Sequence, residues 1–144
     1  MVDLERMGGA IGDIEKYVAE IASYDIQKTE DVKEGKTKHA TAMLLFTILN
    51  RMSDIGNELL SEEKMSAPTR YLDIMPMLAK ANVINEDLAN TLNELMEKRN
   101  ALAHFYGDIS SKEILILVKK LSAVEQFLKT IKKHIQRREA QKES

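Results

Sequence analysis

The sequence contains no cysteine and no tryptophan, and it has only two prolines, six glycines and three phenylalanines among its 144 residues. Without cysteine the chain can form no disulfide, thiolate nucleophile or zinc–thiolate site, which fits a reducing compartment. The scarcity of proline, glycine and aromatic residues, against many Leu, Ile, Met, Ala, Glu and Lys residues, favours helices over a sheet. We therefore expect an all-α protein.

Long apolar runs are also missing. No run approaches the roughly 20 residues that a transmembrane helix needs, and residues 1–6 lack the basic and then apolar pattern of a targeting segment. We expect one cytoplasmic domain over residues 1–144 that does not contact a membrane and whose basic tail, residues 137–144, can fray. The net charge of −2 does not exclude a nucleic-acid partner, because the distribution of charge matters more than its sum.

Apolar residues recur at alternating three- and four-residue spacings, which predicts a bundle of four long helices and one short helix. The predicted long helices cover residues 4–21, 39–60 and 110–135, together with one that begins at residue 85 and runs through residue 96 to the arginine at position 99; the short helix covers residues 71–80. Asn85 and Ser110 are predicted N-caps. Gly8, Gly9 and Gly12 indicate either weak first turns or the close approach of another helix. Pro76 must start or kink the short helix.

One stretch, residues 98–107, is the only place where an arginine, an amide, a histidine and a tyrosine crowd together, as Arg99, Asn100, His104 and Tyr106. A glycine and turn residues follow, so we expect the cluster at the exposed C-terminal end of a helix. Arginine suits a phosphate or a developing negative charge, and histidine suits proton transfer near neutral pH. RNA supplies its own nucleophile, the 2′-hydroxyl, so this pair could cleave RNA without a metal.

A single copy of this cluster looks incomplete. A five-residue step turns about 140° around a helix, so Arg99 and His104 do not share a face, and one histidine cannot easily be both acid and base. A two-fold dimer would supply two copies of each around one cleft, and the broad apolar surface predicted for the second helix fits such a partner. The alternative is that an Arg-x4-His pattern at a helix end is only a C-cap and surface pair.

The pattern Arg99-Asn100-x-x-x-His104-x-Tyr106, between one helix and a long final helix, resembles the Arg-x4-His-x-Tyr signature of the HEPN superfamily, specifically the HepT-like toxins. Residues 54–60 and 71–84 are similar to the second helix and short third helix of that family. The resemblance implies a HEPN-type helical bundle, a homodimer and a metal-independent endoribonuclease.

The same resemblance implies a minimal nucleotidyltransferase as antitoxin, which uses ATP and Mg²⁺ to transfer AMP to the motif tyrosine, while this chain itself needs no cofactor. It makes Arg99 and His104 catalytic, Asn100 a supporting polar group and Tyr106 the AMP acceptor. Asp54, on the second helix, could orient Arg99.

A non-catalytic helical adaptor that binds a nucleotidyltransferase or RNA is the alternative function. His39 and His134 are predicted to be solvated surface residues. The lysines and arginines of the last helix could track RNA phosphates, or could simply form a solvated face. The chain has no His-Glu-x-x-His spacing, so no metal site is predicted.

Overall fold

The computed structural model describes residues 3–103 and 109–143. Within these residues all regular secondary structure is helical, which confirms the prediction of an all-α protein. The α-helices are α1 (Leu4–Ser23), α2 (Gly35–Glu62), α3 (Ile74–Lys80), α4 (Glu86–Met96), α5 (Arg99–Ala103), α6 (Ser111–Lys119) and α7 (Leu121–Glu143). Two short 3₁₀ turns, Thr29–Val32 and Tyr71–Asp73, precede α2 and α3.

The predicted helix caps are confirmed. The side chain of Asn85 accepts a hydrogen bond of 2.7 Å from the Leu88 N–H at the start of α4. Ser110 accepts one of 3.1 Å from the Glu113 N–H at the start of α6, and the Glu113 carboxylate reaches back to the Ser110 N–H. Each cap satisfies donors that have no partner inside the helix. Pro76 lies in the first turn of α3, where its missing N–H costs no hydrogen bond.

Several boundaries differ from the sequence prediction. Helix α2 begins at Gly35, earlier than the predicted residue 39, and Gly35 has φ +85°, a conformation that glycine adopts without strain. The last predicted helix is divided at Lys120 into α6 and α7. Helix α4 ends at Met96, so Arg99 is the first residue of the short helix α5 and not part of a longer helix.

The core lies where the long helices meet. Ile14 of α1, Ile48 of α2, Leu92 of α4 and Phe127 of α7 are completely buried. The outer face of α1 is open, because a Cβ built on Gly8, Gly9 or Gly12 meets no described atom within 4 Å. Of the two explanations for these glycines, the close approach of another helix is therefore wrong within the described chain.

Two contacts hold the 3₁₀ turn Tyr71–Asp73 and α3 in place. A Cβ built on Gly56 of α2 would lie 2.3 Å from Ile74 Cγ2, so the missing side chain lets α3 pack directly on α2. The Asn93 side chain of α4 donates a hydrogen bond of 3.0 Å to the Leu72 carbonyl in the turn. These contacts fix the turn between α2 and α4.

Helix α7 continues to Glu143, so most of the tail that was predicted to fray is helical. His134 of α7 is not the solvated residue that was predicted: its side chain is 13% exposed, and its Nε2 lies 3.2 Å from Glu63 Oε1. The prediction for His134 was wrong because Glu63, at the end of α2, lies against α7. His39 is exposed. None of the described helices is long and apolar enough to cross a membrane.

Candidate active site

The guanidinium of Arg99 lies between α2 and the 3₁₀ turn before α3. Its Nε donates a hydrogen bond of 2.7 Å to the Asn50 side-chain oxygen. Its Cζ lies 4.9 Å from the centre of the Tyr71 ring and 6.0 Å from that of Phe46. Arg99 thus touches two rings and one neutral amide, and its side chain is half-buried.

Arg99 borders a cleft of about 310 Å³ with a polar lining. Besides Arg99 and Tyr71, the cleft is lined by side chains of α2 and of the loop before α3: Asn50, Ser53, Asp54, Asn57, Thr69 and Arg70. Hydroxyl, amide and guanidinium groups can all donate hydrogen bonds to phosphate or ribose oxygens. The arrangement suits a polar, anionic ligand.

Asp54 lines the same cleft but pairs with another arginine. Its carboxylate lies 3.5 Å from Arg51 Nη1, and Arg51 Nε donates to Asp13 of α1 at 3.3 Å. The contact that orients Arg99 in the structure comes from Asn50, one helical turn earlier on the same face of α2. Asn50 was not predicted from the sequence. The only feature of the sequence that could have indicated it is its four-residue spacing from Asp54, which places both residues on one face of α2.

Of the other three motif residues, the structure describes only Asn100. Asn100 is exposed beside Arg99. His104 and Tyr106 lie outside the described residues. Lys98, just before α5, pairs with Glu113 of α6 at 3.0 Å, so an ion pair joins the two sides of the motif stretch. The hydrogen bond from Lys98 holds the pKa of the Glu113 carboxyl below its ordinary value.

Much of the positive charge of the last helix is neutralised within the chain. Lys132 pairs with Glu15 of α1 at 2.9 Å, while Arg138 contacts Glu63. Lys142 lies 3.5 Å from Glu62. These pairs attach α7 to α1 and α2, and the tracking of RNA phosphates by this helix stays a prediction.

A larger groove of about 450 Å³ lies between α1 and α7, but it holds none of the predicted site residues. Its lining includes Val18 and Leu128 together with the Glu15–Lys132 ion pair. In the described part of the chain, no group of three or more His, Asp or Glu side chains could hold a metal ion. The Arg99 cleft is therefore the candidate active site.

Comparison with solved structures supports the same fold. The cytosolic protein of unknown function YutE from Bacillus subtilis has 25% sequence identity and a TM-score of 0.82, with 95% of this chain and 93% of that chain covered. A toxin–antitoxin structure with AMP-PNP has 19% identity and a TM-score of 0.82, covering 89% and 98% of the two chains. The tri-AMPylated HEPN toxin of Shewanella oneidensis, in complex with its MNT antitoxin, has 21% identity and a TM-score of 0.81, covering 92% and 98%.

A comparison with curated proteins gives no match. A family model described as ribonuclease HepT-like matches residues 8–131, which include α2, the cleft and the whole of the Arg99 to Tyr106 stretch. Because this match spans most of the sequence, the chain belongs to the HepT-like ribonuclease family.

Proposed function

We propose that this protein is the toxin of a HEPN/MNT toxin–antitoxin pair and cleaves RNA as a metal-independent endoribonuclease, with Arg99 and His104 as catalytic residues. The observation that carries the proposal is the Arg99 guanidinium, held at the edge of a polar cleft and followed five positions later by His104. Membership of the HepT-like ribonuclease family supports it.

The proposed reaction uses the 2′-hydroxyl of RNA as nucleophile. His104 removes the proton while the 2′-oxygen bonds to phosphorus and the bond from phosphorus to the 5′-oxygen breaks. Arg99 stabilises the negative charge that builds on the phosphate oxygens. The departing 5′-oxygen needs a proton, and the His104 of a second copy in a two-fold homodimer would donate it.

The test is cleavage of RNA by the purified protein in EDTA. Replacing Arg99 or His104 by alanine should lower cleavage by a factor on the order of 10² or more, since each removes a group that acts on the reacting atoms. Arg6→Ala, which removes the same charge from an exposed site on α1, is the matched control and should leave cleavage unchanged. Full cleavage by both active-site variants would refute the assignment.

The homodimer has its own test. Small-angle scattering at micromolar concentration should give the mass of two chains. A fully active monomer would exclude the shared cleft. A dimer of one Arg99→Ala chain and one His104→Ala chain keeps one Arg99 and one His104. Cleavage by the mixture therefore reports whether one copy of each residue suffices.

Regulation would act at Tyr106, two residues after His104. A partner nucleotidyltransferase, using ATP and Mg²⁺, would attach AMP to the phenol oxygen. The added phosphate would repel the RNA backbone and could capture Arg99, so the modified protein should not cleave. The similar Shewanella oneidensis toxin is tri-AMPylated in complex with its MNT antitoxin, which supports the attachment of AMP.

Tyr106→Phe keeps the ring and removes the acceptor oxygen. Co-expressed with the nucleotidyltransferase, it should keep its unmodified mass and its ribonuclease activity, while the wild type gains adenylate units and loses activity. Modified wild-type protein that still cleaves RNA would refute the switch. A wild type that accepts AMP but does not cleave RNA in EDTA even before modification would instead support the non-catalytic adaptor.

A further inference from the structure

The surroundings of Arg99 give this residue one defined orientation. Its Nε donates a hydrogen bond of 2.7 Å to the Asn50 side-chain oxygen, and its Cζ lies over the Tyr71 ring, 4.9 Å from the ring centre. A guanidinium has five N–H donors in one plane. Among the described residues, Asn50 is the only hydrogen-bond acceptor for Arg99, so within that part of the chain its two terminal nitrogens are free to contact a ligand.

The terminal edge of a guanidinium is the edge that binds a phosphate through two parallel hydrogen bonds. An acceptor on Nε restricts rotation about the side-chain bonds, and an aromatic ring close to Cζ restricts the movement of the whole guanidinium. With both present, the two terminal nitrogens keep one direction before RNA arrives. Preorganised donors lower a barrier because they need not be reoriented during the reaction.

The partner on Nε is an amide, and this choice matters for charge. A carboxylate at position 50 would hold Arg99 at least as firmly, but it would neutralise the charge that a phosphate needs. Asn50 accepts the hydrogen bond without adding negative charge. The carboxylate of Asp54, which also lines the cleft, is paired with Arg51.

Tyr71 reaches Arg99 because two other helices hold its turn. The Gly56–Ile74 contact brings α3 onto α2, and Asn93 binds the backbone of the turn. Tyr71 is half-buried: its side chain packs against the hydrophobic core, and its ring also contacts the guanidinium.

Building on the ribonuclease function proposed above, we propose that Tyr71 is a positioning residue, which together with Asn50 holds the Arg99 guanidinium flat and aims its terminal edge at the scissile phosphate. Tyr71 acts through its ring and not through its hydroxyl. It would therefore matter for the rate of the chemical step more than for the binding of RNA.

The experiment measures kcat and KM separately for RNA cleavage by the full-length protein. Tyr71→Leu should lower kcat about tenfold or more, the size of effect expected when a catalytic group is misplaced, with little change in KM. Tyr71→Phe should restore the wild-type rate, because the ring is retained. Tyr17→Leu is the matched control: Tyr17 is also half-buried against the core, but it lies on α1, and its replacement should leave kcat unchanged.

Two further variants separate positioning from general damage. In an Arg99→Ala background, Tyr71→Leu should cause no additional loss, because the group that it positions is gone. Asn50→Asp should lower cleavage even though it keeps the hydrogen-bond acceptor, because it neutralises Arg99. The NMR signal of the Arg99 Nε–H should shift in Tyr71→Leu and stay in place in Tyr17→Leu, and this reading needs no activity.

Equal kcat in the wild type and Tyr71→Leu would overturn the inference and leave the proposed ribonuclease intact. An equal loss in Tyr71→Phe and Tyr71→Leu would overturn the role of the ring. A wild type that does not cleave RNA would overturn the proposed function and this inference with it.

Discussion

Replacing Gly56 by alanine tests how the wall of the cleft is built. The new methyl group would lie 2.3 Å from Ile74 Cγ2, well inside contact distance, whereas the next nearest side chain, at Leu78 Cδ1, is an ordinary 3.5 Å away. One methyl group of Ile74 therefore accounts for the whole conflict. Relief requires α3 to move away from α2, and Tyr71 lies in the turn directly before α3.

The expected cost follows from two opposing terms. Overpacking a well-packed contact costs about 1–3 kcal/mol, while glycine to alanine inside a helix gains about 0.5–1 kcal/mol. Gly9→Ala on α1 is the matched control, because no described atom lies within 4 Å of its new Cβ and only the gain remains. The free energy of unfolding of Gly56→Ala should thus lie about 1–3 kcal/mol below that of Gly9→Ala.

Urea unfolding followed by circular dichroism gives both free energies from the transition midpoints. Ile74→Leu removes the methyl group from the branch point and should cost less than about 1.5 kcal/mol alone. Combined with Gly56→Ala it should recover part of the loss, so the two changes should not add. RNA cleavage should fall in Gly56→Ala and rise again in the double variant. Equal stability of Gly56→Ala and Gly9→Ala would refute the close contact.

Two further predictions concern stability. Asn85→Ala should lower the free energy of unfolding by about 1 kcal/mol because it removes the α4 cap, while Asn85→Asp should keep it; thermal unfolding of the pair decides this. Burial, which outweighs the attraction of Glu63, lowers the pKa of His134, so the folded chain binds fewer protons than the unfolded chain. The free energy of unfolding is therefore unaffected by this shift above the ordinary histidine pKa of about 6.5, and it decreases as pH falls from there toward the pKa of folded His134. His134→Gln should reduce this pH dependence when the free energy of unfolding is measured between those two pKa values.

The features that the sequence predicted correctly are local ones. The helices follow from three- and four-residue apolar spacings, and Asn85 and Ser110 act on N–H groups three residues away. The division at Lys120 could not be predicted, since Leu117 and Leu121 continue the apolar spacing across it and both are buried. No proline or glycine marks the break.

The candidate site was predictable only in part. Arg99, His104 and Tyr106 stood out because they lie close together in the sequence, and the resemblance to a family added the role of Tyr106 as AMP acceptor. Asn50 is 49 residues from Arg99 along the chain, and its contact exists only because α2 and α5 pack together. Tyr71 depends in turn on packing at Gly56, which nothing in the local sequence reveals.

The attachment of the end of α7 has a consequence for how the protein opens. Among the described residues of the helix, Ile131 is the last that is fully buried. The turns beyond it are held by the charge pairs of Arg138 with Glu63 and of Lys142 with Glu62, and by Ile135, which is partly buried against the core. Charge pairs weaken with added salt, whereas apolar burial does not. Amide hydrogens in these final turns should therefore exchange with solvent through a local, salt-sensitive opening. Those around Phe127 should exchange only when the whole bundle unfolds.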